Sequence, residues 1–356
     1  MSAENPRVAI ISRESDRRTL DVAMLEAELL SRGADVTVLS RLLTKDRGLK
    51  SLAYAGHVLR QEAAILGSDV VVLDTYCIPA SMIPHRRGTK VVQIWHALSA
   101  IKKFGWQTVG RAGGSSERTA RIMRMHRGYD YVVSPSDVTS AHFREAFDVG
   151  PEKIVKCGLP RVDYIRSVAA GDRRDDMRKK IFSAYPGLAD GDRKIVLYAP
   201  TFRRDRAVDV KALTDRIDKD RFAVVVKLHP LYRGEAERAE GVIYDELFPS
   251  FDWLSAADMI ISDYSSLVTE STLADIPLYI YAYDLEDYDA NTGLNIDFGE
   301  EPVAPYVFRD AGELASALGG EYDMDALHAF RDRYIDVDYE KRSCTEQLAD
   351  LIMGMT

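Results

Sequence analysis

Short runs of apolar, often β-branched residues alternate with longer amphipathic stretches through most of this 356-residue chain. The runs predict two series of strands, at 8–11, 35–39, 69–73, 90–94 and 129–133 and then at 194–198, 222–226, 242–244, 259–262 and 278–281. The amphipathic stretches predict helices, in the first series at 19–31, 51–66, 116–127 and 136–147. Alternation of this kind favours parallel sheets that are covered by helices on both faces.

The two series are joined at 158–171, where Pro160 and polar turns interrupt the alternation. A chain of this length exceeds one ordinary core, so two domains are expected. We predict an α/β fold of two Rossmann-like, doubly wound domains that face a cleft, at residues 1–165 and 166–335. The helical pattern at 324–353 is long enough to fold back, and residues 336–356 are predicted as a C-terminal helix on the N-terminal domain. The cleft is the expected ligand site.

The composition and the first strand exclude several classes of protein. A net charge of −9 argues against a general nucleic-acid binder, which is usually basic. The three cysteines are far apart in the sequence, which indicates neither a disulfide framework nor a zinc site. Ser12-Arg13-Glu14-Ser15 replaces the glycine-rich turn of nicotinamide enzymes, and no Walker loop occurs. The apolar run at 8–11 is too short for a signal peptide or a membrane span, which predicts a cytoplasmic protein.

Asp263-Tyr264-Ser265-Ser266 lies where a predicted strand ends and a helical pattern at 267–274 begins. Free backbone N–H groups and the positive end of the helix dipole collect at such a junction, and serine hydroxyls add donors. In an open parallel sheet, ligands bind at the carboxyl ends of the strands. The junction therefore predicts an anion site that Asp263 orients, and the alternative is a serine that only caps the helix.

Two histidines are predicted at the carboxyl ends of strands in opposite domains. His96 follows the strand at 90–94, and His229 follows the strand at 222–226. Histidine titrates near neutral pH, so each can act as a general base or acid in the cleft. The alternative is that each imidazole is a buried hydrogen-bonding group without a catalytic role.

Three cationic side chains are candidates for binding the phosphates of a ligand. Arg203 follows the strand at 194–198, Lys227 follows the strand at 222–226, and Arg161 lies at the domain join. A guanidinium can bind phosphate oxygens in a bidentate way. Each of the three can instead be a solvated loop residue, and strand alternation disfavours Lys227 further.

The stretch at 102–127 is strongly basic although the whole chain is acidic. Apolar and aromatic residues are interleaved with its lysines and arginines, Lys102, Lys103, Arg111, Arg118, Arg121, Arg124 and Arg127. A basic amphipathic segment can lie on an anionic membrane or bind a phosphate-rich polymer. The alternative is a solvated helix face.

Six segments, in this order, resemble the CDP-glycerol glycerophosphotransferase family, the transferases of wall teichoic acids and related capsules. They are Gln93-Ile94-Trp95-His96, Gly158-Leu159-Pro160-Arg161, Tyr198-Ala199-Pro200-Thr201-Phe202-Arg203, Lys227-Leu228-His229-Pro230, Ser262-Asp263-Tyr264-Ser265-Ser266 and Asp284-Leu285-Glu286-Asp287-Tyr288. The resemblance implies a GT-B-like fold in which the C-terminal domain holds the nucleotide. The chain departs from the family at Ala97, where glycine is usual, and at 301–305, and both departures lie on the acceptor side.

The resemblance also implies a reaction. An acceptor hydroxyl attacks the polyol-bearing phosphorus of CDP-glycerol, or of CDP-ribitol as a close second, and CMP leaves. His96 is then the base that accepts the hydroxyl proton, and His229 hydrogen-bonds the transferring phosphate or protonates the departing one. The implied donor-binding residues are Arg203, Ser265, Ser266, Glu270, Asp263, Lys227 and Arg161, with Glu270 reaching the ribose.

No metal or other cofactor is implied, because a helix N-terminus and a guanidinium can supply the positive charge. The expected partners are a CDP-polyol donor, a polyol-phosphate or lipid-linked acceptor and an anionic membrane that contacts 102–127, without nucleic acid. This places the enzyme in the cytoplasm or peripherally at the inner face of the membrane. The alternatives are another GT-B nucleotide-sugar enzyme, such as a glycosyltransferase or an epimerase, or a non-catalytic nucleotide-binding relative.

Overall fold

The computed structural model describes residues 5–42, 49–111, 114–189, 191–203, 208–228 and 238–356. These residues form two six-stranded parallel sheets with helices between the strands, so the predicted α/β class is confirmed. The chain divides into two compact units. Unit 1 comprises Met1–Asp163 with Tyr334–Thr356, and unit 2 comprises Tyr164–Arg333. None of the helices in the described ranges combines the length and the apolar character needed to cross a membrane.

The sheet of unit 1 has the strand order β2-β1-β3-β4-β5-β6. Its strands are β1 (Arg7–Ser12), β2 (Asp35–Ser40), β3 (Val70–Leu73), β4 (Lys90–Gln93), β5 (Tyr131–Ser134) and β6 (Ile154–Lys156). Strand β3 is apolar and buried throughout, because helices cover both faces of a parallel sheet. The chain places β2 on one side of β1 and β3 on the other, so the topological switch point lies between β1 and β3.

Helices connect the strands of unit 1. They are α1 (Leu20–Ser31), α2 (Leu49–Gly67), α3 (Ile78–Met82), α4 (Glu117–Ile122) and α5 (Asp137–Phe147). Phe143 and Phe147 of α5 belong to one buried cluster with Val91 of β4 and Val132 of β5. The predicted helix at 116–127 was wrong beyond α4, because Arg124 and His126 adopt positive φ angles of 45° and 58° that end the helix.

The sheet of unit 2 has the strand order β12-β11-β10-β7-β8-β9. Its strands are β7 (Lys194–Ala199), β8 (Phe222–Val226), β9 (Val242–Tyr244), β10 (Met259–Ser262), β11 (Leu278–Tyr281) and β12 (Val307–Phe308). Val196 and Tyr198 of β7 enter one core, while Ile195 and Leu197 enter the core on the opposite face. This is the strand order of dinucleotide-binding folds, and its switch point lies between β7 and β10.

The later helices begin at the predicted interruption of the chain. They are α6 (Pro160–Ala169), α7 (Gly171–Ala184), α8 (Val210–Thr214), α9 (Leu267–Glu270), α10 (Leu285–Asn291), α11 (Ala311–Ala317), α12 (Met324–Tyr334) and α13 (Cys344–Met353). The predicted turns at 158–171 were wrong, because Pro160 occupies the first turn of α6, where a missing backbone N–H is tolerated. The predicted helical stretch at 324–353 is two helices, α12 and α13.

Helix α13 packs against α1 within unit 1. The carboxylate of Asp163 accepts hydrogen bonds from the backbone N–H groups of Cys344 and Thr345, each at 2.8 Å. These bonds satisfy donors that the first turn of a helix leaves without an intrahelical partner. Asp163 therefore ties the start of α6 to the start of α13.

Candidate functional site

The switch point of unit 2 is organised by Asp263, which directly follows β10. Its Oδ1 accepts hydrogen bonds from the backbone N–H of Thr201 at 2.8 Å and of Tyr264 at 2.7 Å. Its Oδ2 accepts a hydrogen bond of 2.9 Å from the Arg203 guanidinium. Asp263 is buried. It therefore joins the carboxyl ends of β7 and β10, as expected for a residue that orients this junction.

Arg203 places a buried guanidinium between two carboxylates. Besides Asp263, it contacts Asp284 through Nε at 2.9 Å and Nη2 at 3.0 Å, and it donates from Nη1 to the Thr201 carbonyl at 2.8 Å. Its charge also lies 5.0 Å from the ring centre of Tyr264 and 4.6 Å from that of Tyr288. Burial alone would lower the pKa of Arg203, but the two carboxylates outweigh it and raise the pKa. The guanidinium is thus engaged by protein groups, which favours an indirect role over a bidentate phosphate clamp.

Asp284 completes this network. The sequence analysis names it only within a family segment and does not predict it as a site residue. The Tyr264 hydroxyl donates to Asp284 Oδ1 at 3.0 Å. Asp284 is buried and lies shortly after β11, so its position at a strand end was the available signal. The Thr201 hydroxyl is also buried at this edge and has no hydrogen-bond partner among the described residues.

Ser265 and Ser266 are partly exposed beside this network. Ser265 Oγ accepts a hydrogen bond of 3.3 Å from Leu267 N, and Ser266 Oγ donates one of 3.1 Å to buried Glu270. The backbone N–H groups of the two serines donate to no group in the described part of the chain. The predicted helix at 267–274 is one α-helical turn, α9, followed by a 3-10 turn. Fixed N–H and hydroxyl donors, rather than a long helix dipole, are therefore what this junction offers an anion.

Lys227 and His229 follow β8, and only Lys227 is described. Lys227 Nζ donates to the carboxylate of Asp245 at 2.8 Å. Asp245 is buried and also accepts from the Tyr185 hydroxyl at 2.7 Å and from Trp253 Nε1 at 2.9 Å. Burial raises the pKa of Asp245, but these hydrogen bonds outweigh it and hold the pKa below its usual value. His229 lies outside the described residues, and the donor-binding role of Lys227 stays a prediction.

In unit 1, His96 follows β4 through an unusual backbone turn. Trp95 adopts a left-handed φ of 59°, and its ring stacks on Phe104 with centroids 4.3 Å apart. A large residue in this region is strained, and such strain occurs at functional sites. His96 Nδ1 lies 3.2 Å from the Asp74 carbonyl oxygen, which can only accept. Nδ1 therefore carries the proton in this hydrogen bond, and Nε2 is the basic nitrogen of the neutral imidazole.

Arg161, predicted to bind the donor, pairs with Asp21 of α1. Its backbone N and its Nε each donate to the buried Asp21 carboxylate at 2.8 Å. The pair attaches the first turn of α6 to α1 within unit 1. A buried pair of this kind holds elements together, and donor binding by Arg161 stays a prediction.

The basic stretch exposes all five of its arginines, Arg111, Arg118, Arg121, Arg124 and Arg127. Within it, Arg121 pairs with Glu117 at 2.7 Å, and the side chain of Ile122 is 61% exposed. Among the described residues, no group of three or more histidine, cysteine, aspartate or glutamate side chains is arranged to hold a metal ion.

Comparison with known proteins gives a consistent result. The family model of CDP-Glycerol:Poly(glycerophosphate) glycerophosphotransferase matches residues 8–354. The chain is 30% identical over 334 residues to a teichoic acid ribitol-phosphate primase of Bacillus spizizenii, covering 89% of this chain and 82% of the primase. It is 29% identical over 287 residues to a teichoic acid glycerol-phosphate primase of the same species, covering 78% and 72%.

Among solved structures, a variant of the wall teichoic acid polymerase TagF soaked with CDPG is similar to this chain. The TM-score is 0.67 at 19% identity, over 98% of this chain and 88% of that chain. This likeness shows a common fold, and the predicted GT-B-like fold is confirmed.

Proposed function

The chain belongs to the family of CDP-glycerol:poly(glycerophosphate) glycerophosphotransferases, and from this premise we propose that it transfers a polyol phosphate from a CDP-polyol to an acceptor hydroxyl, releasing CMP. Its relatives include primases named for ribitol phosphate and for glycerol phosphate. We therefore propose CDP-glycerol or CDP-ribitol as the donor. The acceptor is a growing teichoic-acid-like polymer or its lipid-linked start.

The observation that carries the donor assignment is the group of hydrogen-bond donors at the switch point of unit 2. Ser265 and Ser266 present two backbone N–H groups and the Ser265 hydroxyl on a partly exposed loop, while the Ser266 hydroxyl donates to Glu270. Donors fixed in advance stabilise the charge of a diphosphate without reorganising when it binds. We assign Arg203 and Asp263 to holding this loop in place, and Glu270, bonded to Ser266, to the ribose hydroxyls.

Phosphoryl transfer depends on positioning and charge stabilisation more than on covalent catalysis. We assign His96 as the base, because the hydrogen bond from Nδ1 to the Asp74 carbonyl fixes the tautomer in which Nε2 is the basic nitrogen. The acceptor oxygen bonds to the polyol-bearing phosphorus as the bond from that phosphorus to the oxygen of CMP breaks. His229 is assigned to hydrogen-bond the transferring phosphate.

The test is release of CMP from CDP-glycerol and from CDP-ribitol, each supplied with an oligomeric polyol-phosphate or lipid-linked acceptor. We expect turnover with at least one donor, and His96→Ala to reduce it about 10²–10⁴-fold, the usual contribution of a general base. His328→Ala, a partly exposed histidine of α12 that contacts Asp275, is the matched control. No CMP from either donor would refute the donor assignment, and near-normal turnover of His96→Ala would refute the base.

The serine loop is tested separately from the base. Ser265→Ala is expected to raise the KM for the CDP-polyol because it removes a hydroxyl donor to the diphosphate, and Ser266→Ala because it removes the hydroxyl that holds Glu270. Ser316→Ala on α11 removes an exposed hydroxyl elsewhere in unit 2 and serves as the control. An unchanged KM in the Ser265→Ala, Ser266→Ala double variant would remove this loop from the donor site.

We also propose that unit 1 contacts an anionic membrane that carries the acceptor. The exposed arginines of the basic stretch lie near apolar side chains, since Arg124 hydrogen-bonds the carbonyl of half-exposed Met82 at 3.4 Å. Helix α2 adds an exposed apolar stripe at helical spacing, comprising Ala55, Leu59, Ala63 and Leu66. Exposed apolar side chains flanked by arginine suit the interface of an anionic bilayer.

Binding to vesicles tests this contact. Charge reversal of Arg118, Arg121 and Arg124 to Glu is expected to abolish sedimentation with anionic vesicles, while neutral vesicles bind neither protein. The control reverses three exposed lysines of unit 2, Lys179, Lys180 and Lys194. Equal loss in both triple variants would assign the effect to net charge rather than to this surface.

A further inference from the structure

The switch point of unit 1 brings two carboxyl groups to His96, and neither belongs to the family segments. Glu14 comes two residues after β1, Asp74 directly follows β3, and His96 comes three residues after β4. Because these three strands are neighbours in the sheet, their carboxyl ends meet at one edge. Glu14 Oε1 lies 3.7 Å from His96 Nδ1, the atom that also contacts the Asp74 carbonyl.

Burial of the Asp74 carboxyl group costs free energy, because the group loses its hydration. The residue is 3% exposed, and neither carboxyl oxygen has a hydrogen-bond partner within the described ranges. Burial raises the pKa of Asp74 to about 6, although the nearby Ser12 hydroxyl and His96 lower it and Glu14 raises it further. A buried acid with a raised pKa beside an imidazole at a switch point is typical of a functional site.

The charges that face Glu14 come from several elements of unit 1. Burial raises its pKa, while Arg13 on the same loop and Arg161 at the start of α6 lower it. Arg13 is itself held by a hydrogen bond from its Nη1 to the Tyr76 carbonyl. The immediate surroundings of His96 therefore contain two acids and, one step further away, two arginines.

We propose that Glu14 and Asp74 are positioning residues for His96, which hold its imidazole in one orientation and stabilise the imidazolium formed during transfer. The proposal rests on the proposed function, because it takes His96 as the base. Asp74 fixes the orientation through its backbone carbonyl, and its buried carboxyl group attracts the imidazolium by its charge. Glu14 lies close enough to Nδ1 to form an ion pair once Nε2 is protonated.

The transfer leaves a positive charge on His96, which such groups stabilise. The acceptor hydroxyl gives its proton to Nε2, its oxygen bonds to phosphorus, and CMP departs with the electron pair of the broken P–O bond. One proton remains on His96 and passes to solvent before the next turnover. A carboxylate close to the imidazole favours its charged form, so it strengthens the base.

The experiment compares Glu14→Gln and Asp74→Asn with the full-length wild-type chain. The pKa of His96 is measured by NMR of labelled histidine, assigned by the signal lost in His96→Gln. We expect Glu14→Gln to lower this pKa by about one unit, to move the acidic limb of the kcat/KM profile by the same amount, and to reduce kcat about tenfold. Asp74→Asn keeps the backbone carbonyl that orients Nδ1 and removes only the charge of the carboxyl group, so it is expected to lower the pKa of His96 and to reduce kcat.

Glu152→Gln removes an exposed carboxylate elsewhere in unit 1 and is the matched control. An unchanged pKa of His96 in both variants overturns the proposal, whether or not activity is lost, since a merely structural role would reduce activity without moving that pKa. The NMR titration does not depend on turnover. Absence of CMP release by the wild type would therefore refute the proposed function. The effect of the two variants on the pKa of His96 could still be interpreted in that case.

Discussion

The buried guanidinium of Arg203 forms ion pairs with the carboxylates of both Asp263 and Asp284. Removal of the cation leaves two buried charges uncompensated, so Arg203→Met is expected to lower the free energy of unfolding by about 3–5 kcal/mol. Urea denaturation followed by the fluorescence of Trp253, buried in unit 2, measures this. Adding Asp284→Asn is expected to recover part of the loss.

The matched control for Arg203 lies in the same part of unit 2. Arg309 forms an exposed pair with Glu286, and exposed pairs contribute about 0–1 kcal/mol. Arg309→Met is therefore expected to change the urea midpoint little. A loss in Arg203→Met no larger than in this control would mean that the network is not what holds the switch point together.

His126 links the stability of unit 1 to pH. Burial lowers its pKa to about 3, and its Nδ1 lies 2.9 Å from the Tyr129 hydroxyl. In the unfolded chain His126 takes up a proton near pH 6.5, whereas in the folded chain it stays neutral until the pH approaches 3. The free energy of unfolding is therefore highest above about pH 6.5 with respect to this group, and it decreases as the pH falls toward 3. The slope is about 1.4 kcal/mol per pH unit within that window.

His126→Asn removes this titration while keeping a side chain that tolerates a left-handed φ. We expect its free energy of unfolding to fall less than that of the wild type between pH 6 and pH 4. Urea titrations at several pH values measure the difference. His328→Asn, at the surface of α12, is expected to follow the wild-type slope, and a shared slope in all three proteins would contradict the argument.

Single residues at strand ends could be predicted where chemistry and position coincide. Asp263 bonds to Thr201 and Arg203 at the end of β7 and to the backbone of Tyr264, while its role in orienting the serines stays a prediction. The partner of Arg203 could not be predicted, since Asp284 is 81 residues away and no local pattern joins them. Trp95 likewise gave no signal, because a left-handed φ at a tryptophan opposes its local preference.

At the scale of elements, Gly158 marks a close approach to α13. A Cβ added at Gly158 would lie 2.3 Å from Cys344 Sγ and 3.3 Å from Val337 Cγ2. Gly158→Ala is therefore expected to destabilise unit 1 by about 1–3 kcal/mol through overpacking. Gly187→Ala is the control, since an added Cβ there meets no atom of the described residues within 4 Å.

A double-mutant cycle identifies the clash. In the Cys344→Ala background the sulfur is gone, so Gly158→Ala is expected to cost less, with a coupling of at least about 0.5 kcal/mol. Thermal unfolding of the four proteins gives the coupling energy. Strict additivity would show that Gly158 serves the turn before α6 rather than the contact with α13.

The elements that could be predicted are those with a continuous apolar pattern. Strands β8, β9, β10 and β11 have the predicted bounds, because each is a nearly continuous run of apolar or aromatic residues. Strands β6 and β12 were not predicted, because the three residues of β6 end in an exposed lysine and β12 has only two residues. Helix α6 was not predicted because a proline is common both in turns and at the first position of a helix, and Pro160 was assigned to a turn.

At the scale of the whole molecule, the sequence predicts two series of strands but not their order in each sheet. Neighbouring strands in space are set by long-range pairing, such as that of β7 with β10 rather than β9 with β10. The positions of the switch points depend on that order, and candidate site residues lie at each of them. They are Asp263 with the two serines in unit 2, and Glu14 with Asp74 in unit 1. The motifs therefore identified residues, while topology explains why those residues lie at ligand-binding edges.

The last segment of the chain belongs to unit 1, although it follows unit 2 in sequence. Leu348 and Ile352 of α13 are fully buried, so each contributes to the core of unit 1. Leu348→Ala is expected to lower the stability of unit 1 by about 2–5 kcal/mol, the usual cost of a buried leucine cavity. Since unit 2 has its own core, its stability should change little.

Hydrogen exchange with peptide resolution distinguishes the two units in one experiment. In Leu348→Ala, peptides of β1 and β3 are expected to exchange faster while those of β7 and β10 keep wild-type protection. Leu314→Ala, which removes a fully buried side chain of α11, is the reciprocal control and is expected to reverse the pattern. If both variants accelerated exchange equally in both units, the chain would unfold as one cooperative body, and the assignment of α13 to the stability of unit 1 alone would be wrong.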